Sequence, residues 1–266
     1  NAGLIITEGT SPSPNGLGYA RIPGIFSKEQ VEGWKKVTKA VHEKGGKIVI
    51  QIMHTGRISH SANMPAGSKI LAPSAVKAAG QIWTGSLQMQ DFPVPAAMTL
   101  EEIKATNAEY VTAAKNAIEA GFDGVELHAA NGYLLEQFLS PVSNIRTDEY
   151  GGAIDRRCKF VLEVVEAVAT AIGKDKTGIR LSPYGVASDM PHYDDIDIEY
   201  EYLTSALNNL DIAYIHLADH SAMGAPAVPL EIKQKIRKDF KNTLIICGGF
   251  DKKAAEDTIA KGLADI

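Results

Sequence analysis

The sequence predicts an α/β protein built as a (β/α)₈ TIM barrel that is incomplete in this chain of 266 residues. Short apolar, β-branched runs alternate with amphipathic helical stretches, which predicts parallel strands joined by right-handed crossovers. The runs are almost continuously apolar, which indicates a sheet covered on both faces. No Gly-x-Gly-x-x-Gly follows an early strand, so the barrel is favoured over an open, doubly wound sheet.

Seven segments have the composition of buried strands. They are Leu4–Thr7, Lys47–Met53, Gly124–His128, Thr177–Leu181, Ile212–Leu217, Leu244–Cys247 and Ala264–Ile266. A complete barrel of this kind has about eight strands. We therefore expect residues 1–266 to form a single, partial barrel domain that belongs to a longer polypeptide.

The helices between these strands have readable starts. Ser27–Gln30 and Thr99–Glu102 have the pattern of capping boxes, in which a hydroxyl and an acid or amide side chain satisfy the first free amides. Pro229 suits a first helical position, and Asp251 suits an N-cap. The predicted helices are 28–44, 99–119, 155–172, 198–210, 229–239 and 252–261.

Residues 57–98 interrupt the alternation. The segment is rich in proline and glycine and contains no convincing helix. Loops of this length inside a compact domain are usually functional. Because the segment follows the strand that ends near Met53, we expect a loop or hairpin insertion that lies as a lid over the C-terminal mouth of the barrel.

Composition excludes several classes of protein. The 27 basic and 32 acidic residues give a net charge of −5, which argues against nucleic acid as a partner. No apolar run approaches the roughly 18 residues of a membrane span, so no membrane partner is expected. Cys158 and Cys247 are isolated, which indicates neither a disulfide framework nor a cysteine metal site and fits a cytoplasmic protein.

The densest group of polar residues at a predicted strand end is His128, Asn131 and Tyr133. Barrel active sites are built where strands end at the C-terminal face. An imidazole and a carboxamide three residues apart can donate to one ligand oxygen and stabilise negative charge there. A nearby phenol can protonate a carbanion. Each residue alone is more often structural, but the three together favour a functional site.

Two further strand ends carry candidate anion contacts. Arg180 lies in an apolar run, and a buried guanidinium needs either an acceptor-rich ligand or a salt bridge within the protein. Gly248 and Gly249 follow a strand and precede a helix, so their amides could cradle a phosphate. A tight turn explains a double glycine equally well.

An alternative function comes from a second group of polar residues. His216, Asp219 and His220 include ligand types that hold divalent metals, which would make the protein a metal-dependent hydrolase or aldolase on the same barrel. Their spacing across a strand end does not ensure that they converge. Lining of a substrate pocket or turn structure is the favoured explanation, and the preferred interpretation includes no metal.

Several motifs together resemble the Old Yellow Enzyme family of FMN-dependent ene-reductases. The resemblance extends from the first residue to the last and is most specific between His128 and Gly152. The motifs that carry it are Pro23–Ile25, Gln51–His60, Gly124–Pro141, Asn144–Gly152, Gly178–Pro183 and Cys247–Phe250. Met53 departs from the pattern, because several relatives carry a tryptophan there.

The resemblance implies an NAD(P)H:FMN oxidoreductase that reduces the activated C=C bond of an enone or nitroalkene. FMN would be the cofactor, and NADPH or NADH the reductant. His128 and Asn131 would hold the electron-withdrawing oxygen of the substrate, and Tyr133 would protonate Cα after hydride from reduced FMN reaches Cβ. The partner would be a small molecule, and a homo-oligomer is compatible with this picture.

The same resemblance implies the cofactor contacts. Gln51 and Arg180 would bond the pyrimidine end of the isoalloxazine, and Arg180 would stabilise negative charge near N1. Gly248, Gly249 and Phe250 would belong to the FMN site, with the glycines at the phosphate, where such barrels place it. A non-catalytic relative that has lost FMN is a third interpretation of the same residues.

Overall fold

A six-stranded, wholly parallel sheet forms the centre of the computed structural model, which describes residues 2–266. The strands of the chain are β1 (Leu4–Thr10), β2 (Lys47–Ile52), β3 (Leu71–Ala72), β4 (Gln81–Thr84), β5 (Gln88–Asp91), β6 (Ala96–Ala97), β7 (Gly124–Ala129), β8 (Thr177–Leu181), β9 (Tyr214–Ala218) and β10 (Thr243–Cys247). The sheet order is β1-β2-β7-β8-β9-β10. Each long strand thus pairs with the next one along the chain, as in a (β/α) barrel, and the predicted fold class is confirmed.

The six predicted helices are present within two residues at each end. The helices are α1 (Lys28–His42), α2 (Leu100–Glu119), α3 (Leu134–Leu139), α4 (Ile154–Ile172), α5 (Ile196–Leu210), α6 (Leu230–Asp239) and α7 (Lys252–Ala260). Both capping boxes form, and Asp251 caps α7. Pro229 is the N-cap of α6 rather than its first residue. The sequence did not predict α3.

The strand predictions need two corrections. β1 continues to Thr10, with a bulge between Ile6 and Gly9 where its register against β2 shifts. Residues 264–266 form no strand, although the Asp265 amide donates to the Leu244 carbonyl oxygen at 2.8 Å. The Ile246 amide also donates to the Ile266 carbonyl oxygen at 3.0 Å, but the Leu244 amide donates to the Asp265 carboxylate instead of to a backbone carbonyl, so the ladder is irregular.

Alternation along each strand gives the sheet two chemically different faces. One face carries apolar side chains that belong to the main core with the helices, among them Ile50, Leu127, Ile179, Leu217 and Leu244, all 0% exposed. The other face, inside the curved sheet, carries Gln51, Glu126, His128, Arg180 and His216. Their strand registers bring these polar residues side by side.

Residues 57–98 contain a β4–β5 hairpin and the short parallel pair β3–β6. Arg146 holds both sides of the segment, because its Nη1 donates to the carbonyl oxygens of Pro73 at 2.8 Å and Met98 at 2.6 Å. The Ala79 amide donates to Asp189 Oδ2 at 2.9 Å. The segment therefore contacts loops that follow β7 and β8, and its role as a lid stays a prediction.

None of the helices within residues 2–266 combines the length and apolar character that a membrane span requires.

Candidate functional site

His128 lies at the end of β7 with its ring buried, 3% exposed. Burial and the neighbouring Arg180 charge lower the pKa of His128 to about 3, so the ring is neutral at pH 7. The Ala130 amide donates to Nδ1 at 3.3 Å, which places the remaining proton on Nε2. Because Nε2 has no hydrogen-bond partner within residues 2–266, it is an available donor.

Asn131 follows in a left-handed conformation with φ 59°. Asparagine tolerates this region better than most residues with a Cβ. Its backbone amide donates to Ser182 Oγ at 2.9 Å, which ties the turn to the end of β8. Its side-chain Oδ1 is buried without a hydrogen-bond partner in the described part of the chain. The backbone is thus fixed, and the carboxamide is left for a ligand.

Tyr133 completes the group through its packing against His128. The two rings meet edge to face, with centroids 4.9 Å apart at 85°. Its hydroxyl donates to the hydroxyl of Tyr19 at 3.1 Å. Burial and Tyr19 raise the pKa of Tyr133 above its usual range, so the phenol keeps its proton at neutral pH. Sequence reasoning missed Tyr19, since no motif marks its loop.

Gln137, on the short helix α3, joins the loops that follow β2 and β7. Its Nε2 donates to the carbonyl oxygens of Thr55 at 3.1 Å and Gly132 at 2.7 Å, and its Oε1 accepts from the Arg57 amide at 3.1 Å. The side chain is fully buried. These three bonds fix the turn that carries Asn131 relative to the end of β2.

Glu136, the neighbour of Gln137 on α3, braces the same turn from the other side. Its carboxylate accepts from the Gly132 amide and from Ser182 Oγ, the latter at 2.8 Å. Burial raises the pKa of Glu136 to about 7 despite these bonds. Periodicity could not have found either residue, because a six-residue helix shows no amphipathic pattern.

A continuous polar row crosses the inner face of the sheet. Gln51 Nε2 donates to Glu126 Oε1 at 2.7 Å, and Glu126 Oε2 lies 2.9 Å from His216 Nδ1. His216 Nε2 lies 2.8 Å from Arg180 Nη1. The Nε and Nη2 groups of Arg180 bond no oxygen or nitrogen of residues 2–266. The structure thus joins the predicted Gln51 and Arg180 through two residues that the sequence did not assign to them.

Gly248 and Gly249 follow β10 in backbone conformations that favour glycine, with φ 149° and 69°. A Cβ at Gly248 would lie 2.1 Å from the Asp219 carbonyl oxygen, so the loop after β9 approaches closely. Within the described residues, neither glycine amide donates a hydrogen bond. Phe250 is 39% exposed and lines a small cleft with Ile246 and residues of α7.

The three residues of the metal alternative, His216, Asp219 and His220, form no converging ligand set in the described part of the chain. His216 is bonded within the polar row, and Asp219 accepts from Lys233 Nζ at 2.6 Å and from the Ser221 amide at 3.0 Å. No group of three or more His, Cys, Asp or Glu side chains in residues 2–266 is arranged to hold a metal ion. Asp219 instead has a structural ion pair.

Comparison with known proteins identifies one family. The model of the NADH:flavin oxidoreductase / NADH oxidase family matches residues 1–266. The chain is 42% identical over 267 residues to a probable flavin mononucleotide-dependent alkene reductase of Leishmania infantum, covering 99% of this chain and 72% of the relative. It is 39% identical over 268 residues to 12-oxophytodienoate reductase 2 of Arabidopsis thaliana, covering 99% and 71%.

Solved structures give the same result. Morphinone reductase in complex with tetrahydroNAD superposes with a TM-score of 0.92 at 38% identity, covering 98% of this chain and 72% of that chain. The old yellow enzyme homologue from Zymomonas mobilis superposes with a TM-score of 0.93 at 36% identity, covering 98% and 73%.

Proposed function

The chain belongs to the NADH:flavin oxidoreductase / NADH oxidase family, and we propose on that premise that His128, Asn131 and Tyr133 are its catalytic residues. The protein is an FMN-dependent oxidoreductase that reduces activated C=C bonds at the expense of a nicotinamide cofactor. The observation that carries the proposal is the placement of an imidazole, a carboxamide and a phenol on one turn at the end of β7.

The residues present fit FMN. The free Nε and Nη2 groups of Arg180 are charged donors toward an acceptor-rich ring. Gln51 Oε1 has no hydrogen-bond partner in residues 2–266 and can accept from a ring N–H. The unpartnered amides of Gly248 and Gly249 suit a phosphate. Phe250, which is partly exposed, is the proposed FMN contact at the rim of this site.

The substrate oxygen is the proposed ligand of His128 and Asn131. A neutral imidazole with its proton on Nε2 donates one hydrogen bond, and the carboxamide of Asn131 donates another. Two donors on one carbonyl or nitro oxygen stabilise the negative charge that develops there as Cβ is reduced. His128 Nε2 and Asn131 Nδ2 donate no hydrogen bond within residues 2–266, so binding requires no hydrogen bond to break first.

The proton that completes the reduction is assigned to Tyr133. FMN, when bound and reduced, supplies the hydride to Cβ. The raised pKa of Tyr133 keeps its hydroxyl protonated at neutral pH, as a general acid toward Cα requires. Tyr19 accepts a hydrogen bond from that hydroxyl and holds it in place. Hydride transfer to Cβ and proton transfer to Cα are therefore performed by different groups, FMN and Tyr133.

The identity of the nicotinamide and the location of the protein complete the proposal. We propose that NADH or NADPH reduces the flavin and that a small enone or nitroalkene is the substrate. Free Cys158 and Cys247 support a reducing, cytoplasmic location. Anaerobic titration with each nicotinamide, followed by a panel of enones, identifies the preferred pair.

The test separates the two half-reactions in an anaerobic stopped-flow experiment on the flavin-loaded protein. His128→Ala combined with Asn131→Ala should weaken the binding of a phenolic ligand or enone about 100-fold, because two charge-stabilising donors are lost, while FMN remains bound. Tyr133→Phe should slow oxidation of the reduced protein by enone and leave flavin reduction unchanged.

Two outcomes contradict these assignments. Loss of flavin from the double variant would show that His128 and Asn131 support the cofactor site rather than the substrate. Equal slowing of both half-reactions in Tyr133→Phe would make Tyr133 a structural residue.

A further inference from the structure

The polar row inside the sheet has a residue at its centre to which the proposed function gives no role. We propose that Glu126 is a positioning residue that orients Gln51 directly, and Arg180 through His216, toward bound FMN. This inference rests on the proposed function, because it takes Gln51 and Arg180 as the flavin contacts. It adds that a buried charge next to the proposed flavin contacts would determine both FMN affinity and reduction potential.

Glu126 contacts its two neighbours in the row, Gln51 and His216, at hydrogen-bond distance. Its Oε1 accepts from Gln51 Nε2 at 2.7 Å, and its Oε2 lies 2.9 Å from His216 Nδ1. The side chain is 0% exposed, so water cannot replace either partner. Although burial opposes it, the contact with His216 holds the pKa of Glu126 below its usual value, and the carboxylate is charged at neutral pH.

The orientation of the Gln51 amide follows from this charge. A carboxylate only accepts hydrogen bonds, so the Gln51 group that faces it must be the NH₂. That fixes Oε1 as the group left for the ligand. The Gln51 backbone amide is also held, because it donates to Thr7 Oγ1 at 3.0 Å. A neutral residue at position 126 would no longer select one orientation of the amide.

The orientation of Arg180 follows by the same logic, one residue further along. A carboxylate at His216 Nδ1 requires the proton on that nitrogen, and although burial opposes it, the contacts with Cys247 and Glu126 raise the pKa of His216. Arg180 Nη1 lies 2.8 Å from Nε2 and 3.1 Å from Nδ1, so the ring that Glu126 holds fixes the position of the guanidinium. One edge of the guanidinium is thereby held, and Nε and Nη2 stay free. The Glu126 charge also offsets part of the Arg180 charge in an environment where such interactions are strong.

The experiment compares FMN affinity, from the quenching of FMN fluorescence, and the two-electron reduction potential of the bound flavin. Glu126→Gln should weaken FMN binding at least tenfold and shift the potential upward, because a negative charge next to the proposed flavin contacts is removed. Glu163→Gln is the matched control: this half-buried glutamate on α4 accepts from the Tyr150 hydroxyl, away from the row, and its substitution should change neither quantity.

A double-mutant cycle distinguishes positioning from general support of the fold. In a Gln51→Leu background, Glu126→Gln should weaken FMN binding by less than it does in the unaltered protein, because the amide it orients is gone and only its effect on Arg180 through His216 remains. Full additivity of the two losses overturns the inference. Unchanged affinity and potential in Glu126→Gln also overturn it, and they leave the proposed function intact.

A second pair of variants tests the same row without changing Glu126, in case Glu126→Gln fails to fold. His216→Gln keeps a donor for Glu126 and an acceptor for Arg180, so it should keep FMN affinity within threefold of the unaltered protein. His216→Leu keeps neither and should lose at least tenfold. Equal affinities in the two variants overturn the inference. Absence of FMN binding by the unaltered protein overturns the proposed function and this inference together.

Discussion

The strand ends of β2 and β7 differ sharply from those of β9 and β10. After β2, His54 and Thr55 are 0% exposed, and their loop is tied to α3 by Gln137. After β9 and β10, Met223 is 83% exposed and Phe250 39%. The backbone of the first half of the mouth is thus buried and held by protein contacts, and only side-chain groups such as the Asn131 carboxamide are left for a ligand. The second half presents unpartnered backbone amides.

This difference indicates how the two halves obtain their order. Groups that must polarise one substrate oxygen need fixed positions before the substrate arrives, since a small displacement reduces the rate strongly. Groups that bind a phosphate can instead be ordered by the anion itself. Four substitutions test the contrast. Two lie in the first half, one lies in the second half, and one removes the hydroxyl of Tyr19 that Tyr133 contacts.

The largest expected effect is that of Gln137→Ala. It removes three buried hydrogen bonds and leaves the Arg57 amide and two carbonyl oxygens unpaired, so it should lower the free energy of unfolding by about 4 kcal/mol. Urea denaturation measures the loss. Gln81→Ala is the control, because the exposed Gln81 amide donates only to Asp91 and should cost less than about 0.5 kcal/mol. Similar losses in both variants would contradict the claim that Gln137 holds the first half of the mouth rigid.

Glu136→Gln should change how stability depends on pH. The pKa of Glu136 is raised to about 7 from 4.5, so the folded protein binds more protons than the unfolded chain between these values. Stability contributed by Glu136 therefore falls as pH rises from about 4.5 to 7, by about 3 kcal/mol. Glutamine removes this fall.

Urea denaturation at pH 5 and pH 8 measures the effect as the difference between the unaltered protein and the variant. Glu199 also has a pKa raised to about 7 by burial, and its part of the slope remains in both proteins. Exposed Glu166→Gln serves as the control. An unchanged slope in Glu136→Gln would mean that Glu136 is charged throughout this range.

Gly249→Ala tests the open half with a smaller effect. Its φ of 69° is unfavourable for alanine, and the new Cβ would lie 2.4 Å from that of Ala222. We expect a loss of about 1–2 kcal/mol in the free energy of unfolding and weaker FMN binding. Gly67→Ala has a similar φ of 86° with nothing within 4 Å. Gly67→Ala should lower the free energy of unfolding only by the cost of the strained backbone. Weaker FMN binding in both variants would contradict the proposal that Gly249 contacts the FMN phosphate.

The smallest effect is expected for Tyr19→Phe. The ring remains, but the Tyr133 hydroxyl loses its partner at 3.1 Å. One hydrogen bond of about 1 kcal/mol corresponds to about a fivefold slower oxidation of the reduced protein by enone. Flavin reduction by the nicotinamide is the internal control. A rate unchanged by the substitution would show that Tyr133 is positioned by its packing against His128 alone.

The sequence predicted most of the fold because its signals were local. Apolar runs mark the strands and capping boxes mark α1 and α2, and neither needs knowledge of distant residues. The predictions that failed concern segments whose structure depends on residues far away in the chain. α3 is short and buried on every side, and the pairing of residues 264–266 is determined by the Asp265 side chain.

The candidate site was predictable to a similar extent. His128, Asn131 and Tyr133 lie within six residues of one another, so a strand end and a motif were enough to group them. Glu126, His216 and Tyr19 act on partners 75, 36 and 114 residues away in the chain. Such contacts depend on strand register and side-chain direction, which no spacing in the sequence reveals.

The complete burial of α3 has a consequence for engineering this molecule. All six of its residues are enclosed, so the helix offers no surface that can change without disturbing both adjoining loops. Libraries that aim at a broader range of enones should leave these positions constant. Diversity belongs at Met53, which follows β2 and lies against Gly9 of β1, and in the partly exposed hairpin of residues 81–91.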